Sequence, residues 1–256
     1  MFGFKTVVHK EYKNNFLRTV VFQLLFDKND LLNSKSKEIQ ELFKSSFPRF
    51  NTSKGQGFQI SFNNENTNFQ PIEEGHIINL KSKDGQKSIE INETTLSFTI
   101  TGKAYKCFNN LTDDLNNIVS FLKLCSIQNV NRLALRKINI VEFKNNDNPT
   151  DVLSLLLNPD LVCQLNAYPN KNHINHCLQA LNYKNGNDFL NIKYGLIIPP
   201  QFNEEIGQLV IDIDLFKQEL IEIDNIISYS TAINSEIFNV FSWLINDHTE
   251  KMLNNE

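Results

Sequence analysis

Hydrophobic positions recur along this chain with two periods, and the changes of period mark its elements. Leu17–Phe26 (LRTVVFQLLF) is rich in apolar and β-branched residues and predicts a strand. Between Ser36 and Phe47 the apolar residues Ile39, Leu42, Phe43 and Phe47 return on one helical face, with Ser36 as a capping residue and Pro48 as a stop. Short strands are predicted at Phe58–Phe62, His76–Lys81, Lys87–Ile91 and Leu96–Thr101, and Asp84-Gly85 is a hairpin signal between two of them. Leu96, Phe98 and Ile100 alternate with Ser97, Thr99 and Thr101, as a strand with one buried face requires. Leu111, Leu115, Ile118, Val119 and Leu122 then share one helical face, with Asn110 placed to cap and Asp113 and Asp114 suited to the positive end of the helix dipole.

The order then repeats. Arg132–Phe143 predicts a long strand, and Asn148-Pro149 opens a short helix over Val152–Leu157 that Asn158-Pro159 closes. Cys177–Tyr183 and Phe189–Ile198 flank the hairpin signal Asn185-Gly186, and Pro199-Pro200 breaks the chain. Gln208–Phe216 reads as a strand and Ile221–Ile227 as a further one. A last helix is expected from Ser235 to Leu253, with Ile237, Phe238, Phe241, Leu244 and Ile245 as its buried stripe. The expectation is an α+β fold of two related halves, 1–128 and 129–256. Each half runs strand, helix, three or four antiparallel strands, helix. Together they would form one large antiparallel sheet with helices on one face.

Composition narrows the class. The 256 residues are 41% hydrophobic and 21% charged, which specifies a folded globule. No apolar run reaches the roughly 18 residues of a membrane span, and the first residues do not form a signal peptide. Cys107, Cys125, Cys163 and Cys177 show no CxxC or zinc-finger spacing and read as reduced thiols of a cytoplasmic protein. Residues 1–145 hold 20 basic and 14 acidic side chains, whereas residues 146–256 hold 5 and 15. Such asymmetry either meets an outside anion or lets one part of the chain attract the other.

Few residues suggest chemistry. Arg132 and Arg136 point to one face of their strand about 13 Å apart, and Asp212 and Asp214 share a face of theirs at roughly 7 Å. Apolar flanks make unpaired charge expensive there, so an arginine–aspartate pairing across the sheet is the economical inference. Two alternatives are a divalent cation on the aspartates and an anion gripped by the arginines. If Arg136 neutralises a buried aspartate, its loss should cost about 3–5 kcal/mol; at a surface ligand site, stability should barely change. Lys81, Lys83, Lys87, Lys103 and Lys106, with Tyr105 and Phe108, form a basic stretch with aromatics suited either to a nucleic-acid backbone or to protecting sheet edges. His173 and His176 stand three apart among asparagines, as in a solvated loop, and Trp243 reads as a helix-packing residue. No Gly-rich phosphate loop, GxSxG or HExxH motif occurs, and no cofactor is called for.

The segments RLALRKIN (Arg132 to Asn139), QLVIDID (Gln208 to Asp214) and EIFNVFSWLI (Glu236 to Ile245) come in a distinctive order, after the run from Asn79 to Tyr105. In this the chain resembles a sporadically distributed family of uncharacterised prokaryotic proteins of about 260 residues. That resemblance implies an accessory role, such as phage defence or toxin neutralisation, and no particular activity. The family pattern places a His ahead of the last helix, where this chain has Ile233-Asn234-Ser235. The element order also resembles the saddle-like repeat of TATA-binding proteins, an analogy of fold that carries no function. The reading of function that results is a non-enzymatic binding protein with a protein partner or ligand. The alternative is a nucleic-acid or nucleotide binder using the positive first half. Candidate binding residues are Arg132, Arg136, Asp212, Asp214, Lys81, Lys83, Lys103 and Tyr105.

Overall fold

Strand β1 (Leu17–Leu25) forms where the alternation predicts it, with Val20, Phe22 and Leu24 buried and the residues between them facing the other way. In this computed structural model the chain is described except at residues 64–65, 102–103, 145–148, 164–166, 171–173, 175, 198–205 and 255–256 and at the side chains of 54–74 and 149. The first half continues through helices α1 (Leu31–Ser34) and α2 (Ser36–Phe43) and four strands. These are β2 (Arg49–Asn63), β3 (Asn66–Lys81), β4 (Lys87–Ile91) and β5 (Thr95–Thr101). A 3-10 turn at Phe108–Leu111 leads into α3 (Thr112–Leu124). The second half holds β6 (Asn129–Val130), β7 (Arg132–Lys144), α4 (Pro149–Leu156), α5 (Pro159–Val162), β8 (His176–Asn185), β9 (Asp188–Ile197), β10 (Ile206–Lys217) and β11 (Ile221–Glu222). Helices α6 (Ile226–Leu244) and α7 (Asp247–Asn254) complete it.

Nine strands form one antiparallel sheet in the order β2-β3-β4-β5-β1-β7-β10-β9-β8, and β6 and β11 pair separately. The fold is α+β, as the alternation of elements predicts. At the middle of the sheet β1 pairs with β7, and β5 and β10 flank them. Successive residues of a strand point to opposite faces. Leu96, Phe98 and Ile100 of β5, Leu133 and Leu135 of β7, Leu190, Ile192 and Leu196 of β9, and Leu209, Ile211, Ile213 and Leu215 of β10 therefore lie on one face, and all are buried. Helix α3 packs on α2 and α6, and α6 lies on β7 and β10. The other face carries Thr99, Ser97, Gln23, Arg136, Asp212 and Asn191, a polar surface over the middle of the sheet.

Several local expectations change. β2 and β3 pair from Arg49–Lys81 to Asn63–Asn66, far beyond the two short strands expected, although the side chains of Phe58–Phe62 lie outside the described residues. Ser36 and Asn110 do not cap: α2 and α3 start without a side-chain cap hydrogen bond, and Asn110 sits in the 3-10 turn. The strand expected at Ile221–Ile227 is two residues long, followed by a 3-10 turn at Ile223–Asn225. Ile221 is buried in the short strand, Ile223 in the 3-10 turn and Ile226 at the start of α6, where tertiary packing overrides strand propensity. The last helix thus begins near 226, and it breaks at Ile245. There the extended Ile245 bridges Leu157, and Asn246 holds the end of α4 through bonds to Leu155 O and Leu157 O. Asn158 does cap α5, accepting from the Asp160 N–H.

The first residues form an arm across α6. Phe2 N–H donates to Glu236, Val7 N–H donates to Asn239, and Asn239 in turn donates to Glu236. Phe4 packs edge-on against Trp243 at 5.1 Å, and His9 lies 4.3 Å from the ring of Phe238. Trp243 is therefore a packing residue, but for this arm rather than for a second helix.

One glycine tests the tightness of the second half. Gly195 in β9 has φ +141°, and a Cβ there would stand 1.9 Å from the carbonyl oxygen of Cys177 on β8. Gly195→Ala is expected to lower stability by about 2–4 kcal/mol, measured as a shift of the urea unfolding midpoint. An unchanged midpoint would mean that β8 is not seated against β9 as described.

Candidate functional site

The charged pairs inferred from the strands meet on the uncovered face. Arg136 stands opposite Asp214 in the β7–β10 register, yet its guanidinium reaches diagonally to Asp212, Nε to Oδ1 at 2.8 Å and Nη2 to Oδ2 at 2.6 Å. Arg132 lies 3.9 Å from Asp214 and also donates to Gln23 of β1. Its guanidinium sits 4.2 Å above the Phe216 ring, Phe189 stacks on Phe216 at 4.9 Å, and Lys184 lies 5.2 Å from the Phe189 ring. A row of contacts therefore crosses β1, β7, β10, β9 and β8. Burial pushes the Asp214 carboxyl above the usual range against the pull of Arg132 and Arg136, while the hydrogen bond that Arg136 donates to Asp212 pushes Arg136 up.

The pairing is half-wet rather than buried. Asp212 retains 11% of its side-chain exposure but Arg136 retains 44%, so water screens the pair from one side. Loss of Arg136 should therefore cost less than a fully buried pair would. Arg136→Ala is expected to lower stability by about 1–2 kcal/mol, checked by chemical unfolding of the variant; a loss as large as a core truncation would contradict the screening argument. The charge asymmetry of the sequence is met in part inside the molecule. Basic Lys10, Lys123, Arg132 and Arg136 of residues 1–145 each pair with an acid from residues 146–256.

The basic stretch does not assemble into one patch. Lys81 and Lys83 are exposed at the β3–β4 turn, Lys103 lies outside the described residues, and Lys87 turns to the helix side to pair with the buried Asp114 at 2.7 Å. Tyr105 leaves the group altogether and is buried, 9% exposed, on the helix side of the sheet. His173 is also outside the described residues, and no group of three metal-ligating side chains gathers among those described. The four cysteines form no disulfide, and among the described residues no helix is long and apolar enough to cross a membrane.

The site the sequence reading missed lies where Tyr105 goes. On the inner face of β7 the apolar series Leu133, Leu135 is interrupted by Lys137 and Asn139, both buried under α6. Lys137 Nζ donates to Tyr105 Oη at 3.0 Å and to Asn234 Oδ1 of α6 at 2.6 Å, and it lies 5.0 Å from the Tyr105 ring. Asn139 donates to the Ile211 carbonyl of β10 at 3.4 Å. Among the described residues no carboxylate lies within ion-pair distance of Lys137. The signal was present in the sequence as two polar residues at successive inward positions of a central strand.

Lys137, Asn139 and Tyr105 line a cavity of about 80 Å³, room for two or three waters. Its walls are mostly apolar and include Leu17, Ile213, Ile237, Phe238 and Phe241, with His9 and Cys107 at the side. The cavity shares the wall residues Tyr12, Phe16, Leu17 and Tyr105 with a wider outer cleft of about 560 Å³, bordered by Lys13, Arg18 and Glu142. The N-terminal arm and the segment 105–107 form the lips. No family model matches the sequence, and no curated protein matches it significantly.

Burial holds Lys137 down, to about 7 from its ordinary 10.5, and it holds the Tyr105 hydroxyl up, so that the phenol keeps its proton. Burial and the nearby Lys137 charge lower His9 as well. Between about pH 7 and 10 the unfolded chain thus keeps a proton at Lys137 that the folded protein gives up. Stability from this residue rises with pH across that window and is constantly penalised below it. His9 acts below the window. Cys125, raised to about 11, acts in the opposite sense above about pH 9. From pH 7 to about 8.5 the wild type is expected to gain stability by about 1 kcal/mol per pH unit relative to Lys137→Met, read from urea unfolding at each pH. Parallel profiles for the two proteins would show that Lys137 stays protonated.

Proposed function

We propose that the protein is a non-enzymatic binding protein of an accessory prokaryotic system and that it takes a small ligand into the cleft over Lys137. The accessory setting rests on the family resemblance alone. The ligand reading rests on one observation: a lysine buried against an apolar cavity with only neutral partners. A buried ammonium without a counter-charge costs several kcal/mol, and an apolar residue would serve the core better unless the amine has work to do. Pockets that take small molecules have this composition, apolar walls with a few convergent polar groups. The outer cleft gives the ligand an entry path, and the arm supplies a wall that ordering of a ligand would stabilise.

The nucleic-acid reading draws less support. Lys81 and Lys83 sit apart from Lys87, which turns to the helix side, Tyr105 is buried, and Phe216 is already engaged by Arg132 and Phe189, so among the described residues these candidates do not gather into a base-stacking platform of the kind single-strand binders use.

A screen of small neutral and acidic fragments by saturation-transfer NMR tests the proposal. Leu17 lines both the cavity and the outer cleft and is only half-buried, so Leu17→Trp should fill the passage while the protein stays folded. Fragments are expected to bind the wild type and to lose at least about tenfold in affinity in the variant. Absence of any fragment whose binding the tryptophan weakens would overturn the reading.

A further inference from the structure

Resting on that reading, we propose that Lys137 is an imine-forming amine and that the ligand of the cleft is a small aldehyde or ketone. Three features of the geometry carry the inference. Lys137 is 9% exposed and lines the cavity, so a ligand that enters meets its amine in a nearly dry environment. Two of the three substituent positions on Nζ are directed at Tyr105 Oη and Asn234 Oδ1, which leaves the third for a bond to a ligand atom. Neither partner is charged, so nothing in the contact shell holds the nitrogen as an ammonium. Tyr105 and Asn234 suit a neutral amine, whose two N–H groups they accept and whose lone pair they leave unused.

The groups around the amine agree with this. From the segment after β5 come Tyr105, Lys106 and Cys107, from the arm His9, Lys10 and Glu11, and from α6 only Asn234, with apolar Ile237 and Phe241 beside the cavity. No acid among them reaches Nζ at ion-pair distance. Burial then favours the uncharged form, which is the nucleophilic one. An anion would need the ammonium that this setting disfavours, whereas a carbonyl carbon needs the free amine that it provides.

The step balances within the site. The Lys137 lone pair forms a C–N bond to the carbonyl carbon, and the carbonyl π electrons move to oxygen. Tyr105, kept protonated by burial and 3.0 Å from Nζ, can give its proton to that oxygen and recover one from the nitrogen. Loss of the hydroxyl with the second nitrogen proton releases one water and leaves the neutral imine. Hydrolysis reverses every step, so the adduct is a reversible attachment and not a turnover. A cavity of about 80 Å³ admits a chain of a few carbons, and the outer cleft can hold a polar extension.

The experiment uses the full chain with propanal and, separately, butanone, each with cyanoborohydride to reduce any imine to a stable amine, followed by peptide mapping. At pH 7 a lysine titrating near 7 has about a thousandfold larger neutral fraction than an ordinary exposed one. Lys137 is expected to gain one alkyl group at least about tenfold faster than exposed Lys83 in the same molecule. The rate should rise through pH 7 and slow by about tenfold in Tyr105→Phe. Comparison with Lys83 needs no variant and so does not depend on a variant's folding. Labelling of Lys137 no faster than Lys83 by either probe overturns the proposal. If fragments still bind in the Leu17-dependent manner while Lys137 stays unlabelled, the cleft binds without forming a bond. In that case the imine inference falls and the binding reading stands.

Discussion

Strand β7 is hydrogen-bonded on both edges, to β1 over Leu17–Leu25 and to β10 over Ile206–Lys217. A strand held on both sides cannot slip by one residue without turning every side chain to the opposite face. Leu133 and Leu135 must meet the helices, because their burial is what seats α6. That requirement fixes the rest of the strand: Arg132 and Arg136 are forced to the uncovered face, and Lys137 and Asn139 are forced under α6. Arg136 and Lys137 are neighbours in sequence, yet the sheet lies between their charges.

The two faces solve the cost of charge in different ways. On the uncovered face each arginine finds a carboxylate on β10 and keeps some contact with water, the cheapest arrangement for a partly buried ion pair. Under α6 no carboxylate among the described residues comes within ion-pair distance of Lys137, and the side chain is buried. Burial lowers Lys137 to about 7 and so favours the uncharged amine as pH rises, while Tyr105 and Asn234 accept its hydrogen bonds. The first solution needs only complementary residues on adjacent strands. The second also needs a side chain from the segment after β5 and another from the middle of α6, so three elements of different kinds must come together.

That difference explains what could be read from the sequence. Period-two alternation in Leu96–Thr101 and the Asp84-Gly85 turn are local and were legible; the charges on β7 and β10 are 76 residues apart, but each pair is a same-face spacing within its own strand, which the sequence shows. That Arg132 or Arg136 meets Asp212 or Asp214 followed from counting strand positions and from the cost of unpaired charge; which arginine takes which aspartate depended on the diagonal reach of Arg136. Tyr105 was grouped with nearby lysines because they are close in sequence, but the chain turns inward after β5 and carries the phenol under α6. Ile221–Ile227 looked like a strand because β-branched residues favour one; Ile221, Ile223 and Ile226 are buried, with the 3-10 turn against α3 and α6, and packing decided the conformation. Lys137 was visible as a break in the inward apolar series, but its meaning depended on Asn234, and the sequence placed that residue ahead of a helix whose middle it occupies.

The position of Asn234 also bears on why the cleft, and not the uncovered face, is the place for a ligand. On the uncovered face the described groups of the central strands satisfy one another: Arg132 and Arg136 have carboxylates, Phe216 has Arg132 and Phe189, and Gln23 joins Arg132 to Ser97. A ligand there would have to displace interactions that already satisfy one another. Under α6 the polar groups satisfy one another only while the lysine is neutral, and the space beside them is bounded by Ile213, Ile237 and Phe241, which want an apolar neighbour. A bound molecule with a polar atom at Nζ and a short apolar body would complete that region without breaking a contact. The α6 helix and the N-terminal arm both border it. The arm is tied to α6 through Glu236 and Asn239 and to α7 through Lys10 and Glu250, so its order and the occupancy of the cleft are physically linked.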